Sequence, residues 1–318
     1  MLSPSSPARL VIVVGPTGVG KTKCALSIAR KWGGEIISAD SMQVYRYMDI
    51  GTAKLTPAER EGIPHHLLDI AEPQESFNAS LYTLLARRAI AGIGKGKPII
   101  VVGGTGLYIK TLLGGILAAP GPDAALRLYY QEQRERYGKG HLFRLLEQKD
   151  PLAACHLDPA DTSRIIRALE VWEQSGRSIV EEQEAHRFGE RPYICLKIGL
   201  TMEKDRLYER ITSRTEEMID RGLVGEVEWL LAQGYHGELK SMQAIGYRHI
   251  VRYLRGEAAW PDVLASMNRD TQRYAKRQLT WFKADKEILW FPHDEEAAIL
   301  ERVGRFLGGD GTAGNILT

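Results

Sequence analysis

Residues 15–22 read Gly-Pro-Thr-Gly-Val-Gly-Lys-Thr and fill every fixed position of the spacing G-x-x-x-x-G-K-[ST]. Glycines at those positions let successive backbone N–H groups turn toward one point, where they cradle phosphate oxygens. Gly15, Pro16, Thr17, Gly18, Val19 and Gly20 form that cradle. Lys21 would add the neutralising charge, and the Thr22 hydroxyl a ligand for Mg²⁺. Asp40 is a second position with chemistry. A carboxylate there can hold Mg²⁺, accept a proton from a nucleophile or cap the next helix, and position alone does not choose among these. Ser41-Met42-Gln43-Val44-Tyr45 follows, with hydroxyl and amide groups suited to the edge of a nucleobase.

The elements around these residues set their geometry. Leu10–Val14 is an apolar, β-branched run fit for a buried parallel strand, and Cys24, Ala25, Leu26, Ile28 and Ala29 read as an amphipathic helix after the loop. Strand, glycine turn and helix N-terminus together suit a phosphate or pyrophosphate. Glu35–Ala39 and Pro98–Val102 read as further strands. Ser80–Ile93 reads as a helix between them, with Leu81, Leu84, Leu85, Ala89 and Ile93 on one side. Alternating strands and helices predict a parallel sheet covered on both faces, with ligands at the carboxyl ends of its strands. The phosphate loop, Asp40 and Gly103-Gly104-Thr105-Gly106 then share one rim. The third strand ends in those glycines and lacks the terminal Asp that supports Mg²⁺ in many phosphate-loop NTPases.

Pro120-Gly121-Pro122 breaks this pattern. Residues 121–192 are expected to form a helical insertion domain, with helices over Asp123–Tyr137, Leu142–Gln148 and Ser163–Ser175. The α/β core comprises 1–120 and 193–318. Tyr193–Leu200 resumes it as a strand, and the chain is expected to close with a last strand at Glu287–Phe291. The fold class is α/β, a P-loop NTPase-like parallel sheet flanked by helices.

With 44% hydrophobic and 26% charged residues, the chain has a globular composition, and no apolar run reaches membrane-spanning length. The polar start, Met-Leu-Ser-Pro-Ser-Ser-Pro-Ala-Arg, does not read as a signal peptide. Cys24, Cys155 and Cys195 give neither a disulfide framework nor a zinc pattern, so a cytoplasmic protein is expected. His65 and His66 lack a third ligand and read as a loop pair. The net charge is only +2, but six Lys or Arg face two Asp between Arg269 and Lys286, interleaved with Tyr274, Trp281 and Phe282. Such a patch fits nucleic acid or a solvated helix face. Trp281 and Phe282, near Leu279 and Ile288, read as core rather than as stacking platforms.

Beyond the phosphate loop, seven further segments occur in order: Asp40–Tyr45, Asp49–Lys54, His65–Asp69, Gly103–Tyr108, Arg164–Val171, Ser241–Arg248 and Lys276–Phe282. The series resembles the bacterial tRNA dimethylallyltransferases over nearly the whole chain. That resemblance implies transfer of a dimethylallyl group from its diphosphate to N6 of the adenosine 3′ of a tRNA anticodon. It assigns Lys21, Thr22, Mg²⁺ and Arg214 to the diphosphate and Asp40 to the N6 proton. By itself Arg214 reads as a solvent-facing helix residue. The target adenosine would lie among Asp40, Ser41, Met42, Gln43 and Thr105. The anticodon stem-loop would meet Arg127, Ser163, Arg164, Ile165, Ile166, Arg167, Ser241, Gln243, Gly246, Arg248, Lys276, Arg277, Gln278, Thr280 and Lys283. A monomer with no obligate protein partner and no membrane association is expected.

Three other readings bear on the same residues. A small-molecule kinase accounts for the loop but not for the missing strand-end Asp. An enzyme prenylating free adenine nucleotides needs no tRNA grip. A nucleotide-gated RNA-binding switch needs no catalysis.

Overall fold

The computed structural model describes residues 7–94, 96–117 and 119–308. The first six residues of the polar start lie outside that range. Along the chain come β1 (Arg9–Val14), α1 (Lys21–Trp32), β2 (Glu35–Ser38), β3 (His65–His66), α2 (Ala79–Gly92), β4 (Ile99–Val102) and α3 (Gly106–Gly114). A helical stretch follows: α4 (Ala124–Tyr137), α5 (Lys139–Lys149), α6 (Pro151–His156), α7 (Thr162–Ser175) and α8 (Ile179–His186). The chain then returns through β5 (Ile194–Thr201), α9 (Lys204–Asp220), α10 (Leu223–Ala232), α11 (Tyr247–Leu254), α12 (Trp260–Lys283), β6 (Ile288–Pro292) and α13 (Glu296–Gly308).

Two compact units result, Met1–Leu112 with Arg191–Thr318, and Leu113–Glu190. The boundary falls before Pro120, inside the last turn of α3. In the first unit, the described strands form one parallel sheet in the order β3-β2-β4-β1-β5-β6. This is a P-loop NTPase-like sheet with flanking helices. Leu10, Val11, Ile12 and Val13 are fully buried in the central strand, each side chain contributing about 1.5–3 kcal/mol by leaving water.

Carboxyl ends of neighbouring strands stay knitted beyond the ladder. Ala39 N–H donates to Val102 O at 2.7 Å, Gly103 N–H to Val13 O at 3.2 Å, and Thr105 N–H to Ala39 O at 3.1 Å. Gly103 has no room for a side chain, because a Cβ would strike the Ala39 backbone. Asp40 and the glycine turn are therefore held on the rim beside the phosphate loop.

Three sequence expectations need correction. His65 and His66 form an edge strand, pairing in parallel with Ile36 and Ile37, not a loop. β6 does not close the fold, since α13 follows it and buries Ile299 and Val303. Helix α2 buries Tyr82, Thr83, Ala86 and Ile90, while Leu81 and Leu84 are exposed. Tyr82 stacks on Tyr108 of α3 with centroids 4.3 Å apart, and that contact sets the rotation of the helix.

The second unit has its own core of Tyr130, Leu142, Leu146, Ala153, Ile165, Ile166, Ala168 and Leu169. Its helices are capped by their own sequence. Asp123, Asp150 and Asp161 cap α4, α6 and α7, and Ser178 with Glu181 makes a capping box on α8.

Candidate active site

Helix α1 begins directly at Lys21, and its N-cap, Gly20, is left-handed with φ 106° and offers no side-chain cap. The first amides of the helix are thus open to an anion, reinforced by the helix dipole. Gly15 and Gly18 also sit at positive φ. Val19 is fully buried in the core, so only its backbone faces the loop.

Lys21 Nζ donates to Pro16 O at 2.8 Å. Its pKa is pushed down to about 7, first by burial and then by the Arg214 guanidinium, with Asp40 opposing. Arg214 donates to Thr17 Oγ1 at 3.2 Å. Burial lowers the Arg214 pKa too, with Asp40 again opposing. Arg214 is thus not a solvent-facing helix residue: α9 carries it to the phosphate loop. Two cations share the loop, and Asp40 is the nearby carboxylate that both feel.

Asp40 Oδ1 accepts the backbone hydrogens of Met42 at 2.8 Å and Gln43 at 3.3 Å; its second carboxylate oxygen takes neither bond. Ser41 N–H donates to Thr105 Oγ1 at 3.0 Å, and Gln43 Nε2 donates to Thr52 O at 3.1 Å. Behind this segment, buried Lys54 donates to Tyr45 O at 2.8 Å and pairs with Asp49 and Asp69, each at 2.6 Å. Glu226 accepts from the backbone N–H groups of Asp49, Ile50 and Gly51 and from the Tyr247 hydroxyl at 2.6 Å. The Asp49–Lys54 and His65–Asp69 motifs therefore build the frame of the loop that follows Asp40.

One cavity of about 700 Å³ joins these parts. It runs from Thr17, Lys21, Thr22 and Arg214 past Asp40 and Gln43 to Gln243, Arg248, Thr271, Tyr274 and Arg277. That volume suits a small ligand together with a single base. Gln278 closes the frame: its amide oxygen accepts Thr17 N–H at 2.8 Å, and its amide nitrogen donates to Gly104 O at 3.0 Å.

Sequence reasoning did not single out Tyr274 as a site residue. It lines the cavity, and its pKa is raised by burial and then by Asp40, with Thr105 and Gln278 opposing. The spacing 267, 271, 274, 278 along α12 was the available signal. His65 was also missed. It lines the cavity with Nδ1 2.8 Å from Ile63 O, so Nδ1 holds the proton; Nε2 is buried without a partner among the described residues.

The remaining expected RNA contacts divide. Lys276, Arg277, Thr280 and Lys283 are exposed on α12, whereas Ser241 is buried and donates to Pro73 O at 2.7 Å, and Gly246 starts α11. Six lie in the second unit. Ile165 and Ile166 are core residues there, so only their backbone is left for a ligand. Arg127 and Arg167 pair with buried Glu170, at 2.9 and 3.4 Å; Arg164 is exposed, and Ser163 sits beside it in the first turn of α7. Phe282 is core as expected, but Trp281 is 42% exposed.

Comparison with known proteins gives a consistent result. The family model described as IPP transferase matches residues 43–285. A protein named tRNA dimethylallyltransferase 2 from Syntrophus aciditrophicus is 54% identical over 95% of this chain and 97% of its own. A tRNA dimethylallyltransferase from Geobacter metallireducens is 50% identical over 89% of this chain and 92% of its own. The crystal structure of the tRNA isopentenylpyrophosphate transferase from Bacillus halodurans superposes with a TM-score of 0.70 at 38% identity, covering 94% of this chain and 97% of that one. A eukaryotic dimethylallyltransferase acting on tRNA gives 0.77 at 26% identity, over 93% and 78%. Sequence identity over nearly the full length and the same fold lead to one conclusion: this chain belongs to the IPP transferase family.

Proposed function

We propose that this chain is a tRNA dimethylallyltransferase. It moves a dimethylallyl group from dimethylallyl diphosphate to N6 of the adenosine 3′ of the anticodon and releases diphosphate. The observation that carries this reading is the single cavity with the phosphate loop at one side and Asp40 with Ser41–Gln43 at the other.

In this mechanism the diphosphate lies against the open amides of α1, Lys21 and Arg214. As the allyl C–O bond breaks, negative charge grows on the leaving diphosphate, where the two cations stabilise it. The N6 lone pair forms the new C–N bond, and the Asp40 oxygen that takes neither backbone hydrogen accepts the N6 proton. A carboxylate base helps because the exocyclic amine is a weak nucleophile, its lone pair being delocalised into the ring. No group of three His, Cys, Asp or Glu among the described residues forms a metal cage. Thr22 is exposed at the loop. That donor set fits Mg²⁺, which keeps waters and shares substrate phosphates, so Thr22 and the diphosphate oxygens would hold it. When bound it supplies charge neutralisation at the leaving group.

Exposed Arg164, Lys276, Arg277 and Lys283 suit the phosphates of an anticodon stem-loop. A monomer acting in the cytoplasm completes the reading. No helix among the described residues is long and apolar enough to cross a membrane.

The test supplies dimethylallyl diphosphate with an anticodon stem-loop, with AMP or with no acceptor. Mass spectrometry of digested RNA follows the product. The expected outcome is N6-dimethylallyladenosine in the stem-loop with stoichiometric pyrophosphate and no ATP requirement. RNA-stimulated ATP hydrolysis without transfer would overturn the assignment, and efficient transfer to AMP alone would move it to nucleotide prenylation.

A further inference from the structure

Helix α12 presents Met267, Thr271 and Tyr274 to the cavity, and Gln278 to the phosphate loop and glycine turn. Trp281 is the next residue on that face. Its indole occupies the space a side chain at Gly106 would need, since a Cβ there would strike Nε1, Cδ1 and Cε2 of the ring. One residue earlier, Thr105 Oγ1 accepts the N–H of Ser41, which lines the cavity beside Asp40. The ring is thus seated beside the pocket by a glycine, yet the residue stays 42% exposed. Arg277, four residues before Trp281 and so on the same helix face, is exposed and lies 5.8 Å from the Tyr274 ring centroid.

We propose that Trp281 is a stacking platform for a nucleotide adjoining the target adenosine. The inference rests on the tRNA reading above and adds a substrate contact to it. Turning the adenosine into the cavity strips a flanking base of its stacking partner, and an extruded base is costly for that reason. An indole fixed at the pocket's edge replaces the lost partner, and Arg277 on the same helix face meets a flanking phosphate. Aromatic stacking with flanking positive charge is how single-stranded RNA is commonly held.

Transfer kinetics on an anticodon stem-loop would compare the wild type with Trp281→Phe, which keeps a stacking ring, and Trp281→Leu, which keeps apolar volume. In parallel, 2-aminopurine would replace the nucleotide on either side of the target, and its fluorescence would be followed on binding. Leu should raise KM for the stem-loop roughly 5- to 150-fold while kcat and the affinity for dimethylallyl diphosphate stay within about threefold. Phe should stay within about fivefold of the wild type. One flanking 2-aminopurine should be quenched by the wild type and Phe, and not by Leu. The proposal falls if Leu leaves KM unchanged, if Phe loses as much as Leu, or if neither position is quenched. Absence of transfer by the wild type would instead refute the parent function, while the fluorescence measurements would still decide the stacking contact.

Discussion

Lys21 illustrates how a binding residue works against the fold that carries it. Its ordinary pKa of 10.5 falls to about 7 through burial and the Arg214 charge. The unfolded chain therefore binds more protons between those values, so Lys21 makes stability rise with pH from about 7 to about 10. Lys21→Met should abolish transfer, flatten that slope and raise the melting temperature at pH 7 by about 2–6 °C, as calorimetry across pH would record. Asp40 answers a different question. Asn at 40 keeps the acceptor for the Met42 and Gln43 amides and loses the basic oxygen. Single-turnover transfer should drop roughly 10²–10⁴-fold with RNA and diphosphate affinities near normal. If excess Mg²⁺ restored the rate, Asp40 would be a metal ligand and not the base.

Elements decide which of the basic residues are free to act. In α7, Arg167 also donates to Pro120 O and, at 3.2 Å, to Gly121 O, besides its pairing with Glu170. Glu170 is fully buried, so its charge requires partners. Arg127→Ala removes the side chain that donates to Glu170 Oε2 and ion-pairs with Oε1, and should cost about 1–3 kcal/mol in denaturant unfolding. Arg164→Ala should change stability by less than about 0.5 kcal/mol and instead lower the salt slope of RNA binding by about one. In α12, Gln278 joins the phosphate loop at Thr17 to the glycine turn at Gly104. Gln278→Leu keeps the volume but strands Thr17 N–H and Gly104 O, so diphosphate affinity should fall while the global unfolding transition survives.

At the scale of the molecule, a net charge of +2 understates the field an RNA would meet, because the cations are concentrated along α12. Replacing Lys276 and Lys283 together should flatten the log–log salt dependence of stem-loop binding by up to about two units. Diphosphate affinity should not change, since neither residue lines the cavity. A binding assay at several salt concentrations checks both.

The sequence by itself determined what consecutive residues can encode. A phosphate loop is built from neighbouring backbone groups, so its spacing could be read directly, as could the apolar strands on either side and the motifs that mark the family. Tertiary structure decided what depends on distant segments. Asp40, Arg214 and Tyr274 come from three parts of the chain, and only the sheet rim with α9 and α12 packed over it brings them to one cavity. Two residues are too few for a periodicity, so β3 was visible only through its pairing with β2. The buried face of α2 was misread because leucine spacing outweighed the Tyr82–Tyr108 stack, a contact with another helix. Likewise the pairing of Arg127 and Arg167 with buried Glu170 depends on packing between helices and could not be read from their spacing. Local spacing fixes which groups are available, and packing fixes which of them remain free.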